Sequence, residues 1–211
     1  MKKIIGICLL FTGLTLFGCV TPYDYTNYRS HHPRSILVLP PINETTDIKG
    51  TYSYLASVTY PVAEMGYYIY PVVLADQLLK ENGLPTPGEM HQAPLDKLRR
   101  VFGADAVLYL TLQEYGTQYY VINSVTKAKA RAKLVDTKTG TVIWEGTLQA
   151  QQGTNNSSGG LVGALINSAI NQVISSSTDS ASKMARVANK QMMIEGRGLL
   201  YGPYHPKQNT K

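Results

Sequence analysis

Hydrophobic positions along this chain fall into three patterns, and each predicts a different element. Short continuous aliphatic runs predict strands covered on both faces: Ile36-Leu37-Val38-Leu39, stopped by Pro40 and Pro41, and the mostly apolar stretch Ala104 to Leu112. Spacings of three and four predict helices. Leu55, Val58, Val62 and Met65 mark one over Thr51–Gly66, where Pro61 fits only as a kink or near a first turn. Val73, Leu74, Gln77 and Leu78 mark a second, over Val73–Asn82, that ends at Gly83. Leu95, Leu98 and Val101 share one face of a third, Pro94–Phe102, with proline in its first turn. Tyr67–Tyr70 reads as a strand, and the stretch with Pro85, Pro87 and Gly88 as a loop.

Strict alternation, the third pattern, begins after Gly116 and runs from Thr126 to Leu134. Asp136-Thr137-Lys138-Thr139-Gly140 then supplies a hairpin turn, with Gly140 where positive φ is favoured, and Thr141–Leu148 returns as a partner strand carrying Trp144. After a Gln/Asn/Ser/Gly-rich loop at 151–160, Leu161, Leu165, Ala169 and Val173 predict an amphipathic helix, and a further helical pattern covers about 178–194. Early strands separated by helices, then an antiparallel meander and a helical end, predict an α/β fold: one mixed sheet with helices packed on its faces. A single domain spans 36–195, followed by a tail, 196–211, that is loose at its end.

The amino terminus is built differently. Lys2 and Lys3 precede a run of apolar residues, Ile4 to Leu16, that closes on Leu16-Phe17-Gly18-Cys19. As a helix this run covers only ~20 Å against ~30 Å of hydrocarbon, so a cleaved export signal over 1–18 is favoured over a permanent span. Cys8 leaves with the signal, and the mature chain has no pair of thiols for a disulfide; residues 19–211 are long enough to be held by a core alone. Residues 19–35, polar and carrying Pro22 and Pro33, read as a tether of ~20 to 24 Å. Losing Lys2 and Lys3 leaves eighteen basic against fourteen acidic residues, a net charge of +4. That mild excess suits an anionic surface and gives no basis for nucleic-acid binding.

Candidate chemistry is sparse. His31 and His32 lie in the tether, His91 in a loop and His205 in the tail, none at a strand end where a general base would be held. No cofactor or metal site is expected: His31-His32 lacks a third ligand, and Gly159-Gly160-Leu161-Val162-Gly163 lacks the lysine and hydroxyl of a phosphate loop. The strongest pattern is Lys127, Lys129, Arg131 and Lys133, which period-two geometry places on one face with alanines on the other. The stripe is either the wet face of an antiparallel strand or a contact for an anionic surface or partner, which would relieve repulsion between cations ~6.6 Å apart. Clustered tyrosines (Tyr67, Tyr68, Tyr70; Tyr119, Tyr120) suit core and sheet packing before any glycan or protein contact.

Leu16-Phe17-Gly18-Cys19 resembles a bacterial lipobox, with Phe17 bulkier than usual. The resemblance implies acylation at Cys19, and Val20 after it implies sorting to the outer membrane, facing the periplasm; two or more chains anchor stably. Gly103–Tyr109 and Leu134–Trp144 are similar to the core of lipoproteins related to the curli secretion protein CsgG and to the amino-terminal domain of TolB. Taken with Ile36–Pro41, nearly the whole mature chain resembles a lipoprotein family of unknown function known from a neisserial genome-derived antigen. The resemblance implies a non-catalytic accessory or assembly lipoprotein beside a CsgG-related envelope transport apparatus, with CsgG-like lipoproteins as partners or itself as a homo-oligomer. The basic stripe within Tyr119–Leu134 argues against a membrane barrel. The competing expectation is a regulator that binds a cell-wall-synthesising enzyme, for which the short tether gives little reach.

Overall fold

The computed structural model describes residues 22–119, 124–153 and 180–208, and it contains the expected mixed sheet. In chain order the elements are α1 (Thr26–His31), β1 (Ser35–Val38), β2 (Ile42–Asn43), α2 (Gly50–Glu64), β3 (Tyr68–Ile69), α3 (Val72–Glu81), α4 (Pro87–His91), α5 (Leu95–Phe102), β4 (Ala106–Tyr119), β5 (Ser124–Asp136), β6 (Val142–Gly153) and α6 (Ser180–Asn189). The sheet has six strands in the order β3-β1-β4-β5-β6, with β2 also pairing β4. β3, β1, β2 and β4 run parallel, and β4-β5-β6 form the antiparallel meander.

Alternation along the central strands sorts side chains into two layers. Ile36, Val38, Leu108, Leu110, Leu112, Ala128, Ala130, Ala132, Leu134, Trp144 and Leu148 point to one face, where α2 (Tyr54, Leu55, Val58, Val62) and α6 (Met184, Ala185, Val187, Ala188) cover them. Three alanines on β5 let α6 lie close over β5 and β6. Leu37, Leu39 and Val107 point the other way, onto Ala75 and Leu79 of α3, Met90 of α4 and Leu98 of α5. β1 is therefore buried on both faces, as its unbroken aliphatic run predicts. Among the described residues this second helical layer reaches β1 and the start of β4, and no described helix covers the outer face of β5 and β6.

Several expectations require correction. Residues 22–35 are not tether: Tyr25 and Tyr28 are buried, Tyr28 and Tyr67 share a hydrogen bond of 2.6 Å, and Tyr67 Oη donates to Leu200 O at 2.6 Å. A tyrosine has one hydroxyl proton, so Tyr28 is the donor to Tyr67. The tail packs as far as Gln208, and its last residues, 209–211, lie outside the described residues. Gly202 N donates to Met65 O and Tyr204 N to Gly66 O, and a Cβ on Gly202 would stand 2.4 Å from Gly66 O. Gly66, at φ +83°, lies directly against His205. α2 runs through buried Pro61 to Glu64, within the span expected for it. The strand at 67–70 shrinks to two residues, while β4 runs to Tyr119. α4 forms inside the expected loop because Thr86 and Glu89 make a capping box: Thr86 Oγ1 accepts from Glu89 N, and Glu89 Oε2 accepts from Thr86 N. The helix expected at 161–173 lies outside the described residues.

α3 is the most consequential difference. It forms where expected, but it buries Ala75, Asp76 and Leu79, and its expected inner face is turned outward: Val73 is 72% and Leu74 63% exposed. On α5, Leu98 is buried as expected while Val101 is 61% exposed.

Candidate functional site

The basic stripe is built as its alternation demands. Lys127, Lys129, Arg131 and Lys133 stand on the open face of β5, while Ala128, Ala130 and Ala132 are fully buried behind them. The neighbouring strands alter its electrostatics. Glu114 of β4 reaches between the first two lysines, 3.2 Å from Lys127 Nζ and 3.9 Å from Lys129 Nζ. Glu145 of β6 is in register with Lys133, and Arg131 lies between Thr111 and Thr147. Repulsion expected from four bare cations is therefore reduced inside the sheet, and Arg131 and Lys133 are the more exposed of the four. Sequence spacing could place the cations on one face but could not show that Glu114 stands beside them.

The histidines are dispersed. His31 approaches Asn27 O (2.7 Å, Nδ1) and Thr139 Oγ1 (3.2 Å, Nε2). That threonine donates to Asp136 Oδ1 at 2.9 Å, and the same oxygen accepts from Lys138 N and Thr139 N. The hydroxyl thus staples the β5–β6 turn together with the two backbone N–H groups on the same carboxylate oxygen. His91 packs edge-on against Tyr109 and lies 3.0 Å from Pro40 O; burial lowers its pKa, and the carbonyl opposes that shift. His205 stacks on Tyr201 with ring centroids 3.9 Å apart. Among the described residues no group of histidine, cysteine or acidic side chains is arranged to hold a metal ion. No described helix is long and apolar enough to cross a membrane.

Two clefts lie beside the packed amino-terminal segment. One, of about 470 Å³, is lined by Tyr28, Arg29, Tyr67, Tyr201 and Pro203 among others. The other, of about 240 Å³, lies between His31, His32, Arg34, Arg99, Asp105 and Asp136, with Arg34 Nε donating to Asp105 Oδ2 at 3.3 Å. With Lys138 also in its lining, three cations face two carboxylates, a positive excess of one.

The open edge of β6 is capped by side chains. Glu145 N donates to Tyr23 Oη at 2.9 Å, and Asn27 Nδ2 to Val142 O at 3.3 Å. The amide of Gln191 brackets Gln149, accepting from its N–H at 3.3 Å and donating to its carbonyl at 2.6 Å, which takes up strand positions another chain would otherwise use. At the opposite edge Tyr68, Tyr70 and Phe102 form a run of edge-on rings, with Tyr68 about half exposed. Cys19 lies outside the described residues.

A family model described as GNA1162-like matches residues 23–204. "Putative lipoprotein NMB1124/NMB1162" of Neisseria meningitidis serogroup B is 39% identical over 191 residues, covering 90% of this chain and 89% of the relative. The crystal structure of lipoprotein GNA1162 from Neisseria meningitidis superposes with a TM-score of 0.57 at 43% identity, covering 68% of this chain and 100% of that one. A dodecamer of PelC from Paraburkholderia phytofirmans is more distant, with a TM-score of 0.45 at 12% identity over 82% of this chain and 91% of that one. The family match begins at Tyr23 and ends at Tyr204, so it takes in both the amino-terminal segment and the tail that pack on the sheet. Matched over residues 23–204 and by a relative along nine-tenths of its length, the chain belongs to the GNA1162-like lipoprotein family.

Proposed function

We propose that the protein is acylated at Cys19, held at the outer membrane facing the periplasm, and acts without catalysis as an accessory or assembly component of an envelope transport apparatus, through protein contacts. The observation that carries this reading is α3. It bears apolar side chains on two faces, and only the inner one is covered: Ala75 and Leu79 meet the sheet, whereas Val73, Leu74 and Leu78 meet solvent. An amphipathic surface helix normally presents polar residues outward, so a second apolar stripe suits a protein partner. Arg131 and Lys133 on the open sheet face would add contacts to an anionic surface or partner.

Cys19→Ser tests the anchor: the variant folds and moves from the membrane to the soluble fraction, and its retention in the membrane would refute acylation as the tether. A photo-crosslinking residue at Val73, compared with one at exposed Lys138, tests the contact in native envelopes. Products with further copies of the protein or with an envelope lipoprotein, formed from position 73 alone, support the assembly reading. A cell-wall synthase among the products would replace it with the regulatory one, and equal, sparse labelling from both positions would remove α3 as the contact.

A further inference from the structure

The length of chain between Cys19 and the fold limits how far the domain can stand from an acyl group carried there. Val20, Thr21 and Pro22 are all that separate Cys19 from Tyr23. Tyr23 is already part of the domain: its hydroxyl accepts from Glu145 N, and its ring packs on Tyr25 at 4.8 Å. Tyr25 in turn donates to Gly198 O at 2.7 Å. Four residues span at most ~14 Å at ~3.3–3.6 Å each. A sixteen-residue tether would have let the domain turn freely at ~20 to 24 Å, and this segment cannot.

We infer that the acylated protein rests with its β6 edge against the headgroups of the membrane that holds Cys19, and that the β3 edge faces away. The inference depends on acylation at Cys19 as proposed above. The residues near Tyr23 suit a headgroup layer rather than hydrocarbon: Asp24, Thr26, Asn27, Arg29 and Ser30 are exposed and polar, and Arg197, close to the Gly198 contact, is exposed as well. The two arginines can meet lipid phosphates, and the hydroxyl and amide groups can exchange hydrogen bonds with headgroups. Capping of the β6 backbone by Tyr23, Asn27 and Gln191 agrees with this placement, since an edge turned to the membrane is not presented to another strand. β3 lies four strand spacings away, ~19 Å, so Tyr68 and Val73 are offered to the aqueous side, where a partner could meet them.

The mature chain has no cysteine besides Cys19, so single cysteines at exposed Thr26 and exposed Val73 can each carry a donor dye. The acylated variants are placed in phosphatidylethanolamine/phosphatidylglycerol vesicles containing a headgroup-labelled acceptor lipid. Energy transfer is expected to be roughly twofold or more higher from position 26 than from 73, given the ~19 Å sheet width. Inserting twelve Gly/Ser residues between Thr21 and Pro22 is expected to lower transfer from 26 and erase the difference. Equal transfer from both sites in vesicle-bound protein with the short link overturns the orientation. Protein whose mass shows no lipid on Cys19 and which stays in solution would instead overturn the acylation on which the orientation rests.

Discussion

Asn189 is fully buried at the end of α6, and both the oxygen and the nitrogen of its amide are bonded: Oδ1 accepts from Tyr54 Oη at 2.7 Å, and Nδ2 donates to Ser57 Oγ at 2.8 Å. Both partners belong to α2, so one side chain fastens the two helices that cover the inner sheet face. Tyr54→Phe removes the donor and leaves a buried oxygen unpaired, which is expected to cost about 1–3 kcal/mol in urea unfolding with an unchanged m value. On the opposite face the lysines behave differently. Lys127, Lys129 and Glu114 are all partly exposed, and pairs of that kind contribute about 0.2–1 kcal/mol. Replacing Lys127, Lys129 and Arg131 together by Gln is therefore expected to weaken binding to anionic vesicles while moving the unfolding midpoint little. Binding unchanged across a salt titration would leave the stripe as a solvated surface. The cations were visible as a stripe in the sequence because period two fixes the face of a strand. Asn189 was not, because a polar residue ending a helix reads as a cap until a tertiary partner encloses it.

At the scale of elements, spacing told helix from strand reliably, but it told inner from outer face only where one face is apolar. The β5 alternation allows one orientation, since the other would bury four cations. α3 allowed two, with Val73, Leu74 and Leu78 on one side and Ala75 and Leu79 on another. The smaller set is buried because the helix must approach Leu37 and Leu39 closely. α4 was legible in principle, through Thr86 and Glu89 at capping-box spacing, although two prolines and a glycine around them read more strongly as a loop. The tail depends on a backbone approach that sequence hides. Gly202→Ala would drive a Cβ into Gly66 O and is expected to free the 199–208 segment, read as faster amide hydrogen exchange there, with about 1–3 kcal/mol lost in unfolding. A variant with native exchange would show that the segment adjusts without cost.

For the whole molecule, buried tyrosines couple stability to alkaline pH. Burial raises the pKa values of Tyr28, Tyr54 and Tyr67 above that of an unfolded tyrosine. In the folded state these phenols hold their protons where the unfolded chain releases them. Their contribution is complete below about pH 10 and is lost as pH rises through the folded values. Thermal unfolding is expected to stay level from neutral pH to about 9 and to fall steeply above about 10. Tyr67→Phe should blunt that fall, and an identical profile would mean the phenols are not the coupled groups. The same tyrosines mark the limit of what the chain states by itself. Sequence alone determined the mixed sheet, the meander and the one-sided basic strand, because strand period, turn chemistry and the cost of burying charge are local or nearly so. Its lipobox pointed to the lipoprotein class by resemblance. Tertiary structure decided that residues 22–35 and the tail belong to the domain, that α3 keeps its larger apolar stripe outside, and that Glu114 stands among the lysines. Each of those outcomes rests on contacts between residues far apart in the chain, such as Tyr28 with Tyr67, Tyr67 with Leu200 and Gly66 with Gly202, and local pattern carries no record of which distant surface a segment will meet.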